Sequence, residues 1–278
     1  MVASLSACPR LRCLRLSDAR AVPPALLAAL LRALPALEVL DIRGAIADAD
    51  VVAAVAGLRC LTDLNLNGAA ELSDESLAVL AASWGARLRR LNIVDTSVSF
   101  VGLDALLARC GALVALAIDA EPEVVAEVRS RRPDLSRGLF DYGAAKRAIC
   151  AGDRAALAAA TAGHEGFINT VFRARFPSLP GHTYLVSLTS LAAADGVGSG
   201  AGAVRQLLRL GADPNVGVDA HLNSPLLRYV AAGDVRMVGE LLRRGARPNA
   251  LSGASERTRA PPRALLDPLT PLVRRRIP

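Results

Sequence analysis

The sequence predicts two joined repeat solenoids, an α/β arc of strand-and-helix units over residues 1–122 and an all-α-type stack over residues 144–278. Two internal repeats of different length, one in each half of the chain, are the basis of this prediction. The composition agrees with it, because 52% of the residues are hydrophobic but only 3% are aromatic. A core built from small aliphatic side chains suits thin layers that recur along a chain.

The first repeat is an LxxLxL unit that occurs five times in the N-terminal half. Its leading leucines follow one another at intervals of 26, 24, 27 and 25 residues. They are Leu11, Leu37, Leu61, Leu88 and Leu113. Alternation around the later leucines of each unit predicts a short strand with one face turned inward. The start Ser73-Asp74-Glu75, followed by helical apolar spacing, predicts that a helix completes the unit.

This region resembles the cysteine-containing subclass of leucine-rich repeats, which is found in many F-box substrate receptors and related adaptors. The resemblance is carried by Cys8-Pro9-Arg10-Leu11 and Cys110-Gly111-Ala112-Leu113, where a cysteine stands three positions before the leading leucine. The other units have Leu34, Leu58 and Gly85 there. The resemblance implies an arc with parallel strands on its concave side. We expect both cysteines to be buried as small hydrophobic side chains.

A junction is predicted after the last unit, because the pattern ends beyond Ile118. Residues 123–143 are interpreted as a linker helix and junction. The charged end of this helix at Arg131-Arg132-Pro133, followed by two glycines, is typical of a domain boundary.

The second repeat is a 34-residue duplication in the C-terminal half. Residues 207–215, LLRLGADPN, return at 241–249 as LLRRGARPN. Each copy ends a helix with glycine and then turns through Pro-Asn. The duplication resembles the ankyrin repeat, whose period is about 33 residues. The match is best over residues 185–250, and the rest of 144–278 is interpreted as degenerate ankyrin units.

Candidate binding residues are predicted on the concave strand faces, on an ankyrin hairpin tip and on one helix. Outward side chains alternate with the buried leucines, so those of neighbouring strands form adjacent columns. A solvated face explains this polar composition equally well. In the second half, loops and the residue types Tyr and Arg often carry recognition. The candidates are Arg15, Asp41, Arg43, Asp63, Asn65, Asn67, Arg90, Asn92 and Asp119 on the strands, and His221, Asn223, Arg228 and Tyr229 in the second half.

No catalytic, cofactor or metal site is predicted, and we therefore expect that the protein is not an enzyme. Five cysteines without a CxxC pair disfavour a disulfide framework and a zinc site. The three histidines fall in separate segments without i, i+4 partners. The glycines of residues 196–202 have the spacing of a phosphate-binding loop, but without a preceding βαβ strand a lengthened loop is favoured.

The charge and hydropathy patterns limit the partners. The net charge of +7 suits a polyanion, but the arginines are scattered and Lys146 is the only lysine, so no specific nucleic acid is expected. The most apolar run, residues 25–40, is broken by Arg32 and Pro35 and is too short for a bilayer. We expect a cytoplasmic protein that does not bind membranes, with a nuclear or organellar location as the alternative.

These observations predict a non-catalytic scaffold or adaptor that binds one or more proteins and needs no cofactor. The alternatives are a substrate receptor of a ubiquitin ligase, which the F-box-type repeats suggest, and a structural subunit of a large cytoskeletal or organellar assembly. The first strand lacks the polar capping repeat that solenoids need. We therefore expect its edge to be covered by a partner protein or by repeats that precede Met1.

Overall fold

A computed structural model describes the protein over residues 8–16, 19–69, 71–174, 184–194, 200–216 and 224–248. Within these residues the chain forms eight strands and eleven α-helices. The strands are β1 (Cys13–Arg15), β2 (Val39–Asp41), β3 (Asp63–Asn65), β4 (Arg90–Asn92), β5 (Ala115–Ile118), β6 (Leu139–Asp141), β7 (Val171–Ala174) and β8 (Tyr184–Ser187). The helices are α1 (Pro24–Arg32), α2 (Ala49–Ala56), α3 (Asp74–Trp84), α4 (Phe100–Arg109), α5 (Pro122–Arg131), α6 (Tyr142–Cys150), α7 (Arg154–Thr161), α8 (Leu188–Ala194), α9 (Gly200–Arg209), α10 (Pro225–Ala231) and α11 (Val235–Arg243).

Six strands form one parallel sheet, in the order in which they occur along the chain. One α-helix connects each strand of this sheet to the next, as a parallel pairing requires a crossover. The first five strands lie within the five LxxLxL units and carry a leucine at the same register position. These leucines are Leu14, Leu40, Leu64, Leu91 and Leu116.

The first core lies between one face of this sheet and helices α1 to α5. The strand leucines are buried there together with helix residues such as Trp84 and Leu106. Asp48, Ser73 and Ser99 begin α2, α3 and α4, and each side chain accepts a hydrogen bond from a backbone N–H of the first turn. Polar caps therefore begin these three helices, and buried apolar side chains pack the helices against the sheet.

The second core lies on the opposite face of the sheet, toward its β4–β6 end. Ala117 and Phe140 of the sheet are fully buried and belong to one apolar cluster with Tyr142, Leu188 and Val204 of the later helices. These helices pack in consecutive pairs, α6 with α7, α8 with α9 and α10 with α11. At this end the sheet is therefore a layer between two layers of helices.

The predicted fold class, a leucine-rich arc followed by an all-α ankyrin stack, is wrong. The described residues form an α/β-type fold with a six-stranded, all-parallel sheet and eleven helices. The sixth strand has no LxxLxL unit and lies in the stretch interpreted as a linker, so only its pairing with β5 reveals it. The second half contains the antiparallel pair β7–β8 and packs on the sheet instead of standing apart from it.

The sixth strand joins the sheet through a close approach at Gly138. The backbone N–H of Leu116 donates to the carbonyl oxygen of Gly138 at 2.9 Å. A Cβ atom at this position would overlap the carbonyl oxygen of Val114, so only glycine fits. The glycine that had been interpreted as part of a domain junction instead allows the sheet to continue.

Candidate functional site

The predicted strand-face residues meet a segment of the same chain. Residues 164–171, here named the docked segment, follow α7 and lead into β7. They include the short 3-10 turn Glu165–Phe167. The docked segment lies on the sheet face opposite the leucines, where it contacts residues of β4 and β6 and of the loops that follow β2 and β3.

Asn67 holds the last residue of the docked segment by its backbone. Its Nδ2 donates to the carbonyl oxygens of Val171 and Val94, and its Oδ1 accepts from the Val171 N–H at 3.0 Å. The side chain is only 1% exposed. An amide group that pairs with both the N–H and the C=O of one residue substitutes for a neighbouring strand at that position.

Asn92 and Tyr142 hold the preceding residue, Thr170. The Asn92 Nδ2 donates to the hydroxyl of Thr170 at 2.8 Å, and the Tyr142 hydroxyl donates to its carbonyl oxygen at 3.1 Å. Burial raises the pKa of Tyr142 well above its ordinary value, so the hydroxyl stays protonated and remains a donor. Thr170 is therefore bound from strand β4 and from the start of helix α6.

Asp41 and Arg43 form a partly buried ion pair at the edge of the docked segment. The Arg43 Nε donates to Asp41 Oδ1 at 3.1 Å, and its Nη2 pairs with Oδ2. The remaining guanidinium nitrogen, Nη1, donates to the carbonyl oxygen of Asn169 at 3.3 Å. The pair thus orients a guanidinium group toward the backbone of the docked segment.

Arg90 contacts the apolar side chain of the docked segment. Its guanidinium carbon lies 5.6 Å from the centroid of the Phe167 ring, and its Nε lies 3.3 Å from Asp63 Oδ1. Phe167 stacks on Phe140 of β6 with 6.1 Å between the ring centroids. Contacts with a cation and with a second aromatic ring fix the position of the Phe167 ring.

The predicted strand-face candidates therefore fall into two groups. Asn67, Asn92 and Asp41 are buried, and Asn67 and Asn92 bond directly to the chain's own segment. A partner could reach these two asparagines only after the docked segment had left. No pattern in residues 164–171 had indicated that this segment would bind the sheet.

A second group of candidates keeps exposed surface at the other end of the sheet. Arg15 is exposed on β1, while Asp63 and Asn65 on β3 are half-buried. Asn65 Oδ1 accepts from the N–H of Asn67 at 3.0 Å. We name this part of the face, formed by β1 to β3, the open half. That a partner protein or further repeats cover the outer edge of β1 stays a prediction.

Asp119, the last strand-face candidate, faces α6. Its Oδ2 lies 2.5 Å from the Lys146 Nζ, and the same ammonium group lies 5.7 Å from the centroid of the Tyr142 ring. This ion pair connects the end of β5 to helix α6 in the second half of the molecule.

The candidates of the second half have structural contacts or lie outside the described residues. The Arg228 Nη2 donates to the carbonyl oxygen of Ala194 at 3.1 Å. Tyr229 is 1% exposed, so it is a core residue rather than a surface contact. Burial raises the pKa of Tyr229 to about 12, and its hydroxyl has no hydrogen-bond partner among the described residues. His221 and Asn223 lie outside the described residues.

The two cysteines that precede leading leucines differ in burial. Cys110 is fully buried, and this burial raises the pKa of its thiol to about 11, whereas Cys8 is exposed. The expected burial is therefore correct for Cys110 only. In the glycine-rich stretch, Gly200 begins α9, and residues 195–199 lie outside the described part. Across the described ranges, no three His, Cys, Asp or Glu residues form a group that could hold a metal ion. None of the helices described is both long and apolar enough to cross a membrane.

No protein-family model matches this chain, and no curated protein matches it either. The function must therefore be argued from the arrangement of the residues themselves. That arrangement is a sheet face whose polar side chains bind a polypeptide backbone over one half and remain accessible over the other.

Proposed function

We propose that this protein is a non-catalytic adaptor that binds a partner protein on the open half of its sheet face. The docked segment is the observation that supports this proposal. Side chains of this face, above all Asn67, bind a polypeptide by its backbone N–H and C=O groups. Such bonds recognise main chain regardless of its sequence, and neighbouring side chains add the specificity.

The open half continues the columns of side chains that hold the docked segment. Cys13, Val39 and Asp63 are neighbours in register across β1 to β3, and Arg15 lies beside Asp41 in the next column. Cys13 and Arg15 are exposed, while Val39 and Asp63 are half-buried. This surface combines an apolar centre with charges of both signs, which suits a protein partner better than a polyanion.

A reducing compartment such as the cytoplasm is part of this proposal. Among the described residues, Cys13, Cys60, Cys110 and Cys150 form no disulfide, and Cys13, Cys60 and Cys150 are exposed. Exposed free thiols are typical of proteins that fold where disulfides are not maintained.

Site-specific photo-crosslinking tests the proposal in the native cell. A benzophenone amino acid at Cys13, on the open half, should capture a distinct protein, whereas the same group at Val101, which is 71% exposed on α4, should not. The additional substitution Arg15→Glu should reduce the Cys13 adduct at least about tenfold, as a charge reversal at an interface does. Identical adducts from both positions, or an adduct insensitive to Arg15→Glu, would refute binding at the open half.

A further inference from the structure

A groove of about 500 Å³ lies beyond the last strand of the sheet, on the opposite end from the open half. One side of the groove is formed by Leu139 and Asp141 of β6. Ala159 and Ala160 at the end of α7 contribute to the other side. The small side chains on the helical side leave room for the main chain of a ligand beside the strand.

Along the edge that faces this groove, the backbone of β6 has no strand partner within the described residues. In the described part of the chain, β6 pairs with β5 alone. Gly138 accepts a hydrogen bond from β5, and Phe140 lies in the same alternating set of residues. The backbone groups of Leu139 and Asp141 therefore point to the other side. Asp141 is the N-cap of α6, and its C=O accepts the first helical bond. Within the described residues, the groups left without a strand partner are therefore the N–H of Asp141 and the N–H and C=O of Leu139.

The charges around the groove favour a negatively charged ligand. The Asp141 carboxylate accepts from the Ala144 N–H at 2.8 Å and lies 3.7 Å from the Arg147 guanidinium, so its charge is already compensated. Arg129 and Arg137 also line the groove, and neither has an acidic partner within the described ranges. Two arginines beside a strand edge can pair with carboxylates of a peptide that lies along it.

We propose that this groove binds an extended peptide with acidic side chains, which adds a strand to the free edge of β6. Main-chain hydrogen bonds to Leu139 and Asp141 would supply affinity, and Arg129 and Arg137 would select the acidic side chains. The chain's own residues 251–278 do not have the charge of this ligand, because they contain more arginines than acidic residues. This site is separate from the open half and does not depend on it.

Fluorescence anisotropy with the full chain tests the proposal. The probe is a fluorescein-labelled peptide of alternating glutamate and valine, and the comparison peptide has lysine in place of glutamate. The acidic peptide should bind at least about tenfold more tightly, and Arg129→Glu with Arg137→Glu should remove at least that factor. The matched control is Arg59→Glu with Arg89→Glu, two exposed arginines elsewhere on the surface, which should change the affinity less than about twofold.

Backbone methylation of the peptide distinguishes binding by strand addition from binding by electrostatic attraction alone. N-methyl groups on one alternating set of amides should abolish binding, because those amides face β6, whereas methylation of the other set should preserve it. Equal binding of both methylated peptides would overturn strand addition, as would equal binding of the acidic and basic peptides. These comparisons change only the peptide, so they remain decisive even if an arginine variant folds poorly.

Discussion

The two faces of the six-stranded sheet are stabilised in different ways. One face buries a leucine from each of β1 to β5 against helices, whereas the opposite face uses asparagine side chains to hold the docked segment. Leu91 and Asn92 are consecutive in β4, point to opposite faces, and are 0% and 3% exposed. Burial of apolar area is non-directional, whereas a buried hydrogen bond depends on its partner. Loss of one leucine should therefore weaken the whole fold, and loss of one asparagine should release a single segment.

The largest effect is expected on the leucine face. Leu91→Ala should lower the free energy of unfolding by about 3–5 kcal/mol, because it leaves a cavity between the sheet and the helices. Urea denaturation followed by circular dichroism measures this change. The control Val79→Ala, at a position 52% exposed, should change it by less than about 0.5 kcal/mol. Equal effects at the two positions would contradict the assignment of the first core.

A smaller and more local effect is expected on the polar face. Asn67→Ala should cost about 2–3 kcal/mol, because it leaves the N–H and C=O of Val171 without this partner in a buried site. Hydrogen exchange should accelerate in residues 164–171 but not in α1 to α5. The control Asn65→Ala removes one bond from a half-buried side chain and should leave exchange in the docked segment nearly unchanged. Uniform acceleration throughout the chain would instead show that both faces unfold together.

The polar face should also respond to pH through His164, the first residue of the docked segment. Its ring lies 5.3 Å from that of Phe140, and burial lowers the pKa of His164 below 6.5, although Glu165 opposes the shift. A lowered pKa means that the folded state favours the neutral ring. Its stabilisation is therefore complete above about pH 6.5 and is lost as the pH falls through the folded-state pKa.

Hydrogen exchange of residues 164–171, corrected for intrinsic rates, measures this pH effect. Protection should be lower at about pH 5.5 than at about pH 7.5 in the native chain, and His164→Phe should remove this difference. Protection that falls equally in the variant would assign the effect to another group.

The smallest effect is expected at Tyr229, in the second core. Tyr229→Phe should leave the stability unchanged or raise it by up to about 1 kcal/mol, since the buried hydroxyl makes no hydrogen bond in the described part of the molecule. Because the pKa is raised from 10.0 to about 12, this group contributes stability below pH 10 that is lost as the pH rises through about 12. Thermal melts near pH 8 and near pH 11 should show a smaller alkaline loss in the variant.

The regular leucine spacing made the first five strands and their connecting helices predictable. A strand that buries one face against a helix must place its apolar residues at fixed intervals, and that interval is visible along the chain. Ser73 likewise marked the start of α3 through the local chemistry of a helix cap. Glycine turns also indicated the paired helices of the second half. No sequence pattern indicated strands β6, β7 and β8.

The candidate site was predictable in part, because alternation identified which side chains leave the leucine face. Asn67, Asn92 and Asp41 were recognised as outward residues, but their burial was not foreseen. An asparagine in a short strand has the same sequence pattern whether water or a peptide backbone satisfies its amide. The identity of that partner depends on contacts across more than a hundred residues, such as Asn67 with Val171.

The amino-acid sequence by itself thus determined the elements whose signals are local: the leucine-bearing strands, the helices that connect them and the caps that start several of them. Only the tertiary structure decided that Leu139–Asp141 extends the sheet, that residues 164–171 cover half of its polar face, and that a groove lies beyond β6. Buried side chains recur at regular intervals along the chain, so their pattern is visible in the sequence. A hydrogen bond between polar groups of two distant segments depends on how the folded chain places them, and this is not visible in the sequence.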